Sequence, residues 1–372
     1  MRPFYRLRRR LGLADLAGKR AAAHPPQTPL DLAIARLRTA RTVGQPAGDD
    51  ALSARIVDAY CQASEAFPGY GDSMWTWINR LAQPTHELLV SGDAAALTEA
   101  LDNPHTTNLF QGFDNPVAAS FGFQAEDRNL LSNEIGPGFE SRIYHAIKRL
   151  AEATGAVKIA NPETATGTAL DPDDYLDLID AKLGVALEFP NFYAQEQGIV
   201  TRRGIISFRP LQAIYQAVRL HQLGARRVLE IGAGLGRTAF YAHKLGIAEY
   251  TIVDIPLSNV AQAHFLGRAL GSAVIALFGE SGCPIRITGP RFVENCSERF
   301  DIVLNVDSLS EMDRGVAAGY VDFARAAADR LLSINREWDG APRVSDLLGA
   351  TPTTRFPYWM RDGYVEELAT FG

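Results

Sequence analysis

Glycines at alternate positions mark the segment of the sequence most capable of chemistry. An acid, Glu230, precedes Gly232, Gly234 and Gly236, and a helical pattern begins directly afterwards. Glycine lets the backbone turn sharply and brings a ligand against the main chain, where any β-carbon would obstruct it. A second acid, Asp254, follows 18 residues after Gly236. An ionised carboxylate there can accept hydrogen bonds from both hydroxyls of a ribose. The spacing therefore predicts a cofactor-binding turn.

The same segment departs from the dinucleotide-binding fingerprint. That fingerprint requires a third glycine at position 237, where this chain has Arg237, so a nicotinamide-dependent oxidoreductase is disfavoured. The segment instead resembles the acid-x-Gly-x-Gly-x-Gly motif of class I S-adenosylmethionine-dependent methyltransferases. The resemblance implies S-adenosylmethionine as cofactor, with Glu230 orienting its methionine end, the three glycines lining the turn and Asp254 holding the ribose.

Longer segments are similar to a bacterial family of sugar O-methyltransferases over roughly residues 130–370. They are 202–205, 213–217, 250–256, 304–312 and 357–367. This resemblance implies methyl transfer to a hydroxyl of a sugar or sugar-containing acceptor, either a small molecule or a glycan. Two alternatives stay open: N- or O-methylation of a non-sugar secondary metabolite, and a catalytically silent protein that only binds the cofactor.

Methyl transfer to a hydroxyl requires an acceptor oxygen aligned with the donor methyl, and a base or metal adds to the rate. In the implied fold, the loop after the fourth strand borders the methyl group. Asp307 and Glu311 are therefore the predicted catalytic carboxylates, able to share a proton or bind Mg²⁺, and Asn305 is predicted to contact the cofactor. Capping of the following helix would explain the same spacing. His264 is an alternative base.

Four residues are predicted to bind the acceptor: Arg202, Arg203, Tyr358 and Arg361. Guanidinium groups match phosphate or carboxylate, and aromatic faces stack on sugar rings. Packing at the sheet edge is the alternative for Tyr358. The sequence shows no His, Cys, Asp or Glu cluster with the spacing of a transition-metal site.

The elements that must position these residues form a repeating pattern after residue 200. Apolar runs of strand length alternate with helical stretches, as expected for strands buried on both faces of a parallel sheet. The predicted fold class is α/β, a doubly wound Rossmann-like class I methyltransferase domain, preceded by a mainly helical N-terminal domain. The predicted strands are 227–231, 250–253, 273–277, 301–304 and 331–334.

The first half of the chain has mainly helical apolar spacing, seen at Leu52, Ile56, Tyr60 and Ala63. A further helix is predicted from an N-cap at Asp171 to Gly184. The predicted organisation is a basic tail and Pro-rich linker over 1–29, a mainly helical acceptor-side domain over 30–200 and the cofactor domain over 201–372.

The composition is that of a soluble globular protein, with 47% hydrophobic and 22% charged residues. A net charge of −6 argues against nucleic acid as a partner. Residues 1–20 hold seven basic side chains against one acid, which fits either a solvated tail or peripheral contact with anionic lipid headgroups. Three scattered cysteines and no apolar run of 18 residues lead us to expect a cytoplasmic protein without a transmembrane segment. The sequence does not predict an oligomeric state.

Overall fold

The computed structural model describes residues 28–67, 69, 74–107, 109–110, 138–159, 169–337 and 342–372. The basic tail and most of the segment 103–138 therefore lie outside the described residues. In the described part of the chain, none of the helices combines the length and the apolar character needed to cross a bilayer.

Helices dominate the N-terminal half, together with a three-stranded antiparallel sheet that the sequence did not predict. The sheet has the order β1-β2-β3. The elements are α1 (Pro29–Ala35), β1 (Thr39–Val43), α2 (Asp50–Ala66), α3 (Met74–Leu81), α4 (Gln83–Ser91), α5 (Ala94–Asp102), α6 (Phe139–Ala153), α7 (Pro172–Leu183), β2 (Ala194–Thr201) and β3 (Gly204–Ile206).

The ends of these helices show which sequence signals held. Helix α7 starts at the predicted N-cap, where the Asp171 side chain accepts from the Asp173 amide, and it ends at Gly184 in the left-handed conformation. The predicted tail and Pro-rich linker over 1–29 extends too far, because Thr28 caps α1 and Pro29 is the first residue of that helix. Proline is tolerated there, since the first amide of a helix has no intrahelical partner.

The C-terminal half contains the predicted α/β sheet with helices on both faces. Its elements are α8 (Phe208–Gln222), β4 (Arg227–Ile231), α9 (Arg237–Lys244), β5 (Glu249–Val253), α10 (Pro256–Leu270), β6 (Ile275–Ala276), β7 (Ile285–Thr288), α11 (Phe292–Asn295), β8 (Phe300–Val306), α12 (Arg314–Ala327), β9 (Ala328–Arg336), α13 (Val344–Leu348), β10 (Thr353–Pro357) and β11 (Tyr364–Thr370).

Strand order fixes where a ligand can bind. The strands lie in the order β10-β11-β9-β8-β4-β5-β7-β6. The six consecutive strands from β6 to β9 pair in parallel, and β11 is antiparallel between β9 and β10. The chain moves outward from β4 in one direction to β5 and β7, and in the other to β8 and β9. The order therefore reverses between β4 and β8, and ligands bind beyond the carboxyl ends of strands at such a point.

One strand prediction needs correction, and three strands of this sheet were not predicted. Residues 273–277 were predicted as one strand, but 272–274 form a 3-10 turn and only the two-residue β6 follows at the sheet edge. The strand beside β5 is β7, whose four residues have too short an apolar run to stand out from its neighbours. The β10–β11 hairpin was also not predicted.

The two halves share one hydrophobic core. A single cluster of buried side chains includes Leu52 of α2, Ile147 of α6 and Ile285 of β7. Helix α2 packs closely on α10 at Gly267. A β-carbon at this glycine would lie only 2.8 Å from Leu52 Cδ2 of α2. The β2–β3 hairpin spans the predicted domain boundary at residues 200/201. The division into two domains at that boundary stays a prediction.

Candidate functional site

The glycine-rich turn leaves β4 at the point where strand order reverses. Gly232 has φ +71° and Gly236 φ +86°, backbone conformations that side-chain-bearing residues rarely adopt. A β-carbon at Gly232 would lie 2.3 Å from Ser308 Oγ, and one at Gly236 would lie 3.1 Å from a methyl of Leu266. The turn is therefore held close to its neighbours, and its role in binding a cofactor stays a prediction.

A buried polar network ties this turn to the loop after β8. Ser308 Oγ donates to the Ile231 carbonyl at 3.0 Å, and Asn305 Nδ2 donates to the same oxygen at 2.9 Å. Asn335 Nδ2 donates to Asn305 Oδ1 at 2.8 Å. Asn305 is 0% exposed and lies beneath the turn as a support, although contact with the cofactor is predicted for it from the sequence.

The two predicted cofactor acids leave neighbouring strands side by side. The Gly232 amide donates to the Val253 carbonyl at 2.9 Å, which sets Asp254 next to the turn. Gln262 Nε2 donates to Asp254 Oδ2 at 2.7 Å and to the Gly234 carbonyl at 3.0 Å, so one buried amide joins the acid to the turn. Burial raises the pKa of Asp254 to about 6.

Glu230 lies deeper, on β4 itself. It accepts a hydrogen bond from the Tyr250 hydroxyl at 2.8 Å. Burial raises the pKa of Glu230 to about 8. The carboxyl group is therefore mainly protonated at neutral pH, and a cation placed next to it would favour its ionised form.

Asp307 is held in a strained position at the start of the next loop. It has φ +65°, a conformation that costs a residue other than glycine free energy on the order of 1 kcal/mol. The Tyr364 hydroxyl donates to Asp307 Oδ2 at 2.8 Å, and Arg361 Nη1 lies 3.7 Å from the same oxygen. The fold thus brings together Asp307 and Arg361, which the sequence analysis proposed separately as catalytic and acceptor-binding residues.

Glu311 ends a 3-10 turn that begins at Leu309. Burial, and then the charge of Asp307, raise the pKa of Glu311 to about 8. Three neighbours lower this pKa instead: the charge of Arg209 on α8, a hydrogen bond from Trp75 on α3 and the charge of Arg336 on β9. A half-buried carboxyl group with a pKa near neutrality is poised to exchange protons.

The capping alternative, in which Asp307 or Ser308 caps the following helix with Glu311 in its first turn, is met in position by the 3-10 turn over 309–311, whose N-cap residue is Ser308. Helix α12 begins at Arg314, and its N-cap is Asp313, whose side chain accepts from the Gly315 amide at 2.8 Å. Ser308 precedes the 3-10 turn without a capping hydrogen bond from its side chain. Asp307 and Glu311 are therefore not the caps of α12.

His264, predicted as an alternative base, lies in the core. It is on a different face of α10 from Gln262, which contacts the turn. Its Nδ1 shares a hydrogen bond of 3.0 Å with the Tyr193 hydroxyl, and its Nε2 lies 3.8 Å from Asp102 Oδ1. Burial, and then the charge of Arg268, lower the pKa of His264 to about 4. These contacts give His264 a packing role, and the mechanism proposed below does not involve it.

The remaining acceptor-binding predictions fall on residues with protein partners. Arg202 and Arg203 form ion pairs with Asp177 of α7 at 2.8 and 2.6 Å, in the turn between β2 and β3. Tyr358 is buried, with its ring edge-on to Tyr215 at a centroid distance of 5.4 Å. The ring contact of Tyr358 agrees with the alternative that this residue only packs in the fold. The binding of an acceptor by Arg202 and Arg203 stays a prediction.

Several residues at this site were not found by sequence reasoning. Trp75 and Arg209 reach Glu311 from elements far away in sequence, and no motif marks them. Tyr364 lies within a segment that carried the family resemblance, but only the pairing of β11 with β9 shows that it faces the loop after β8.

The described residues hold no group of three or more His, Cys, Asp or Glu side chains that could bind a metal ion. Asp307 and Glu311 form a pair, with arginine side chains as further neighbours. Mg²⁺ binds through several oxygen ligands, so this part of the chain does not fit the predicted Mg²⁺ site.

No protein-family model matches the sequence, and no curated protein matches it. Several solved structures that resemble it are methyltransferases. The glycopeptide N-methyltransferase MtfA is 15% identical over 43% of this chain and 90% of its own, with a TM-score of 0.33. The O-methyltransferase TomG from Streptomyces achromogenes, solved with S-adenosylmethionine, is 11% identical over 43% and 80%, with a TM-score of 0.32.

A third solved structure, magnesium protoporphyrin IX methyltransferase from Synechocystis with bound S-adenosylmethionine, is 16% identical over 44% of this chain and 78% of its own, with a TM-score of 0.32. Because these similarities are low, the fold assignment depends on the strand order of the chain itself. The C-terminal half is a doubly wound, Rossmann-like α/β domain.

Proposed function

We propose that this protein is an S-adenosylmethionine-dependent O-methyltransferase that modifies a hydroxyl of a sugar or a sugar-containing small molecule. The observation that carries the proposal is the position of Ser308. Its Oγ packs against Gly232 of the cofactor turn, and Ser308 directly follows Asp307. A donor bound on the turn would therefore meet a pair of proton-accepting carboxyl groups on the adjoining loop.

The residues at the turn fit the cofactor. Gly232 and Gly236 expose main chain, Asp254 offers a carboxylate for ribose hydroxyls, and buried Glu230 lies where a cationic amino group would favour its ionisation. When bound, S-adenosylmethionine supplies a methyl group on a positively charged sulfur, which an acceptor oxygen can attack directly. The chain's own task is to align that oxygen and remove its proton.

Glu311 is the proposed general base. A base is most effective when its pKa lies near the working pH, and the pKa of Glu311 is raised to about 8. Asp307, fixed by Tyr364 and close to Arg361, is the proposed positioning group that accepts a hydrogen bond from an acceptor hydroxyl. This division of roles favours an oxygen acceptor, because a hydroxyl needs its proton removed as the new bond forms.

The choice of a sugar is supported by the sequence segments that resemble sugar O-methyltransferases, two of which contribute Asp307, Arg361 and Tyr364 to the site. The same chemistry would serve a hydroxyl or an amine of a non-sugar metabolite, and a silent protein would bind the cofactor without turnover. The test must therefore identify the acceptor.

Purified protein is incubated with ¹³C-methyl-labelled S-adenosylmethionine and a panel of free sugars, methyl glycosides, nucleotide sugars, phenols and amines. Mass spectrometry then locates the label, and S-adenosylhomocysteine release measures turnover. We expect a sugar O-methyl product that the Glu311→Gln variant does not form. Labelled amines or phenols alone would replace the sugar assignment, and calorimetric cofactor binding without any product would favour the silent protein.

A further inference from the structure

Gln212 on α8 has a buried polar group without a partner. Its side chain is 7% exposed, and its Nε2 makes no hydrogen bond. Most buried amide donors in proteins are paired, so a donor left without a partner in the cofactor half suggests that a bound molecule completes it. The proposed mechanism does not use this residue.

The neighbours of Gln212 on α8 define where it lies. Four residues later, Gln216 Oε1 accepts from Thr238 Oγ1 at 2.6 Å, and Thr238 is the second residue of α9, directly after the glycine turn. Three residues earlier, Arg209 places its charge near Glu311. Residues spaced by three, four and seven share one face of a helix.

Distances along the helix axis refine this position. With a rise of 1.5 Å per residue, Gln212 lies about 6 Å from Gln216 and about 4.5 Å from Arg209 along α8. It is therefore between the end of the site that holds the glycine turn and the end that holds the acid pair. The start of α9 lies on the same side, and the N-terminus of a helix favours a negative group near it.

We infer that Gln212 Nε2 donates a hydrogen bond to the carboxylate at the amino-acid end of the bound cofactor. This inference rests on the proposed function, since it needs the methionine portion of S-adenosylmethionine on the glycine turn. It gives the Nε2 group of Gln212, which has no partner within the protein, a hydrogen-bond acceptor on the bound molecule. Together with Glu230, whose carboxyl group suits the amino group, Gln212 would recognise both charged ends of the amino acid.

Two ligands that differ only in the amino-acid portion test the inference. S-Adenosylhomocysteine contains it, whereas 5′-methylthioadenosine keeps the nucleoside and the sulfur but lacks it. Calorimetric affinities for both ligands are measured with the full chain, with Gln212→Leu and with Gln212→Met. The matched control is Gln222→Leu on the same helix, where the side chain accepts from Arg219 at the surface.

We expect both Gln212 variants to bind S-adenosylhomocysteine about 10- to 100-fold more weakly, the usual effect of losing a hydrogen bond to a charged group. Binding of 5′-methylthioadenosine should change less than twofold. The melting temperature should stay equal or rise, because an unpaired buried amide is replaced by an apolar group. A purely structural role would instead lower the melting temperature.

Unchanged affinity for S-adenosylhomocysteine in both variants would overturn the inference and leave the proposed function standing. Equal losses for the two ligands would also overturn it, because the defect would then lie in the turn itself. If the unmodified protein binds neither ligand, the proposed function fails and the inference fails with it.

Discussion

Ser308 lies directly against the α-carbon of Gly232, so that a β-carbon at Gly232 would come within 2.3 Å of Ser308 Oγ and 2.5 Å of Ser308 Cβ. The same hydroxyl donates to the Ile231 carbonyl. The turn after β4 and the loop after β8 are thus packed together as one unit. The requirement for glycine at position 232 arises from this contact as well as from its positive φ.

Gly232→Ala should therefore disrupt the cofactor turn. The methyl group would clash with Ser308, and the left-handed backbone would add strain on the order of 1 kcal/mol. We expect affinity for S-adenosylhomocysteine to fall at least tenfold and the melting temperature to drop by several degrees. Calorimetric titration and thermal unfolding measure the two effects.

Ser308→Gly in the Gly232→Ala background is the informative control. It removes both atoms that the new methyl group would meet, while the strained backbone remains. We expect partial recovery of affinity. No recovery at all would show that φ alone requires glycine at this position and that the contact with Ser308 is incidental.

Glu311→Gln should reduce kcat by about 10²- to 10⁴-fold, the usual contribution of a general base. Affinity for S-adenosylhomocysteine should change less than twofold, because Glu311 is proposed to act on the acceptor and does not belong to the glycine turn. In the unmodified protein, kcat should rise with pH up to about 8, as the Glu311 carboxyl ionises. Turnover with the acceptor identified by labelling gives these values. Glu249→Gln, which removes a surface ion pair with Arg227, should leave kcat unchanged.

Glu311→Gln, which is expected to lower kcat, should raise the free energy of unfolding at pH 8. Because the folded-state pKa of Glu311 is raised from 4.5 to about 8, the unfolded chain loses this proton first as pH rises. The contribution of Glu311 to stability is then full below pH 4.5 and is lost up to pH 8. Glu311→Gln should be more stable than the unmodified protein at pH 8 by at least about 1 kcal/mol, and little different at pH 4.5. A lower stability at both pH values would contradict the raised pKa.

Much of the cofactor half could be predicted from sequence because its signals are local. The signals here are the apolar run 227–231, the glycines after it and Asp254, and each can be read from its neighbours in the chain. The structure has strand β4 over 227–231. The environment of Glu311 could not be predicted in this way. Trp75, Arg209 and Arg336 come from three separate elements, and their meeting depends on how α3 and α8 pack over the sheet.

The same reasoning explains the errors. His264 has a pKa near neutrality as a free side chain, but contacts with Tyr193 and Asp102, distant in sequence, determine its state here. Strand β7 was missed because its position beside β5 comes from pairing, and a run of four residues has little periodicity. Residues 273–277 have a longer apolar run, and most of them form a 3-10 turn and the edge strand β6.

Asp254 should make cofactor affinity depend on pH. Its pKa is raised to about 6 by burial, and only the ionised carboxylate can accept hydrogen bonds from two ribose hydroxyls. Affinity for S-adenosylhomocysteine should therefore weaken as pH falls below 6, approaching tenfold per pH unit. Asp254→Asn should bind about 10- to 100-fold more weakly at pH 7 and show a flatter profile. Equal slopes for the two proteins in titrations from pH 5 to 8 would assign the dependence to another group.

A buried ion pair connects the cofactor turn to the N-terminal half. Arg237, at the start of α9, donates to Glu196 Oε1 of β2 at 3.1 Å, and both side chains are at most 10% exposed. Removing one partner strands a buried charge. Glu196→Gln or Arg237→Met should therefore each cost about 3 to 5 kcal/mol of unfolding free energy, whereas the double variant should cost much less. Urea denaturation of the four proteins measures the coupling, and additive losses would show that the two groups act independently.

His264 should limit stability in acid. Its folded-state pKa is lowered from 6.5 to about 4, so the unfolded chain binds a proton that the folded protein excludes. Stability should then fall between pH 6.5 and 4 by up to about 3 kcal/mol from this group. The charged groups that face the imidazole are Asp102, Asp49 and Arg268.

His264→Gln removes the titration while keeping a polar group beside the Tyr193 hydroxyl. It should be less stable than the unmodified protein at pH 7 by about 1 kcal/mol, owing to a poorer hydrogen bond, and it should lose less stability between pH 6.5 and 4. His243→Gln on α9, at a half-buried histidine, is the matched control and should keep most of the original slope. If both variants show the unmodified slope in urea denaturation at pH 4.5, 5.5 and 6.5, the acid sensitivity does not come from His264, because a non-titrating side chain at that position would then make no difference.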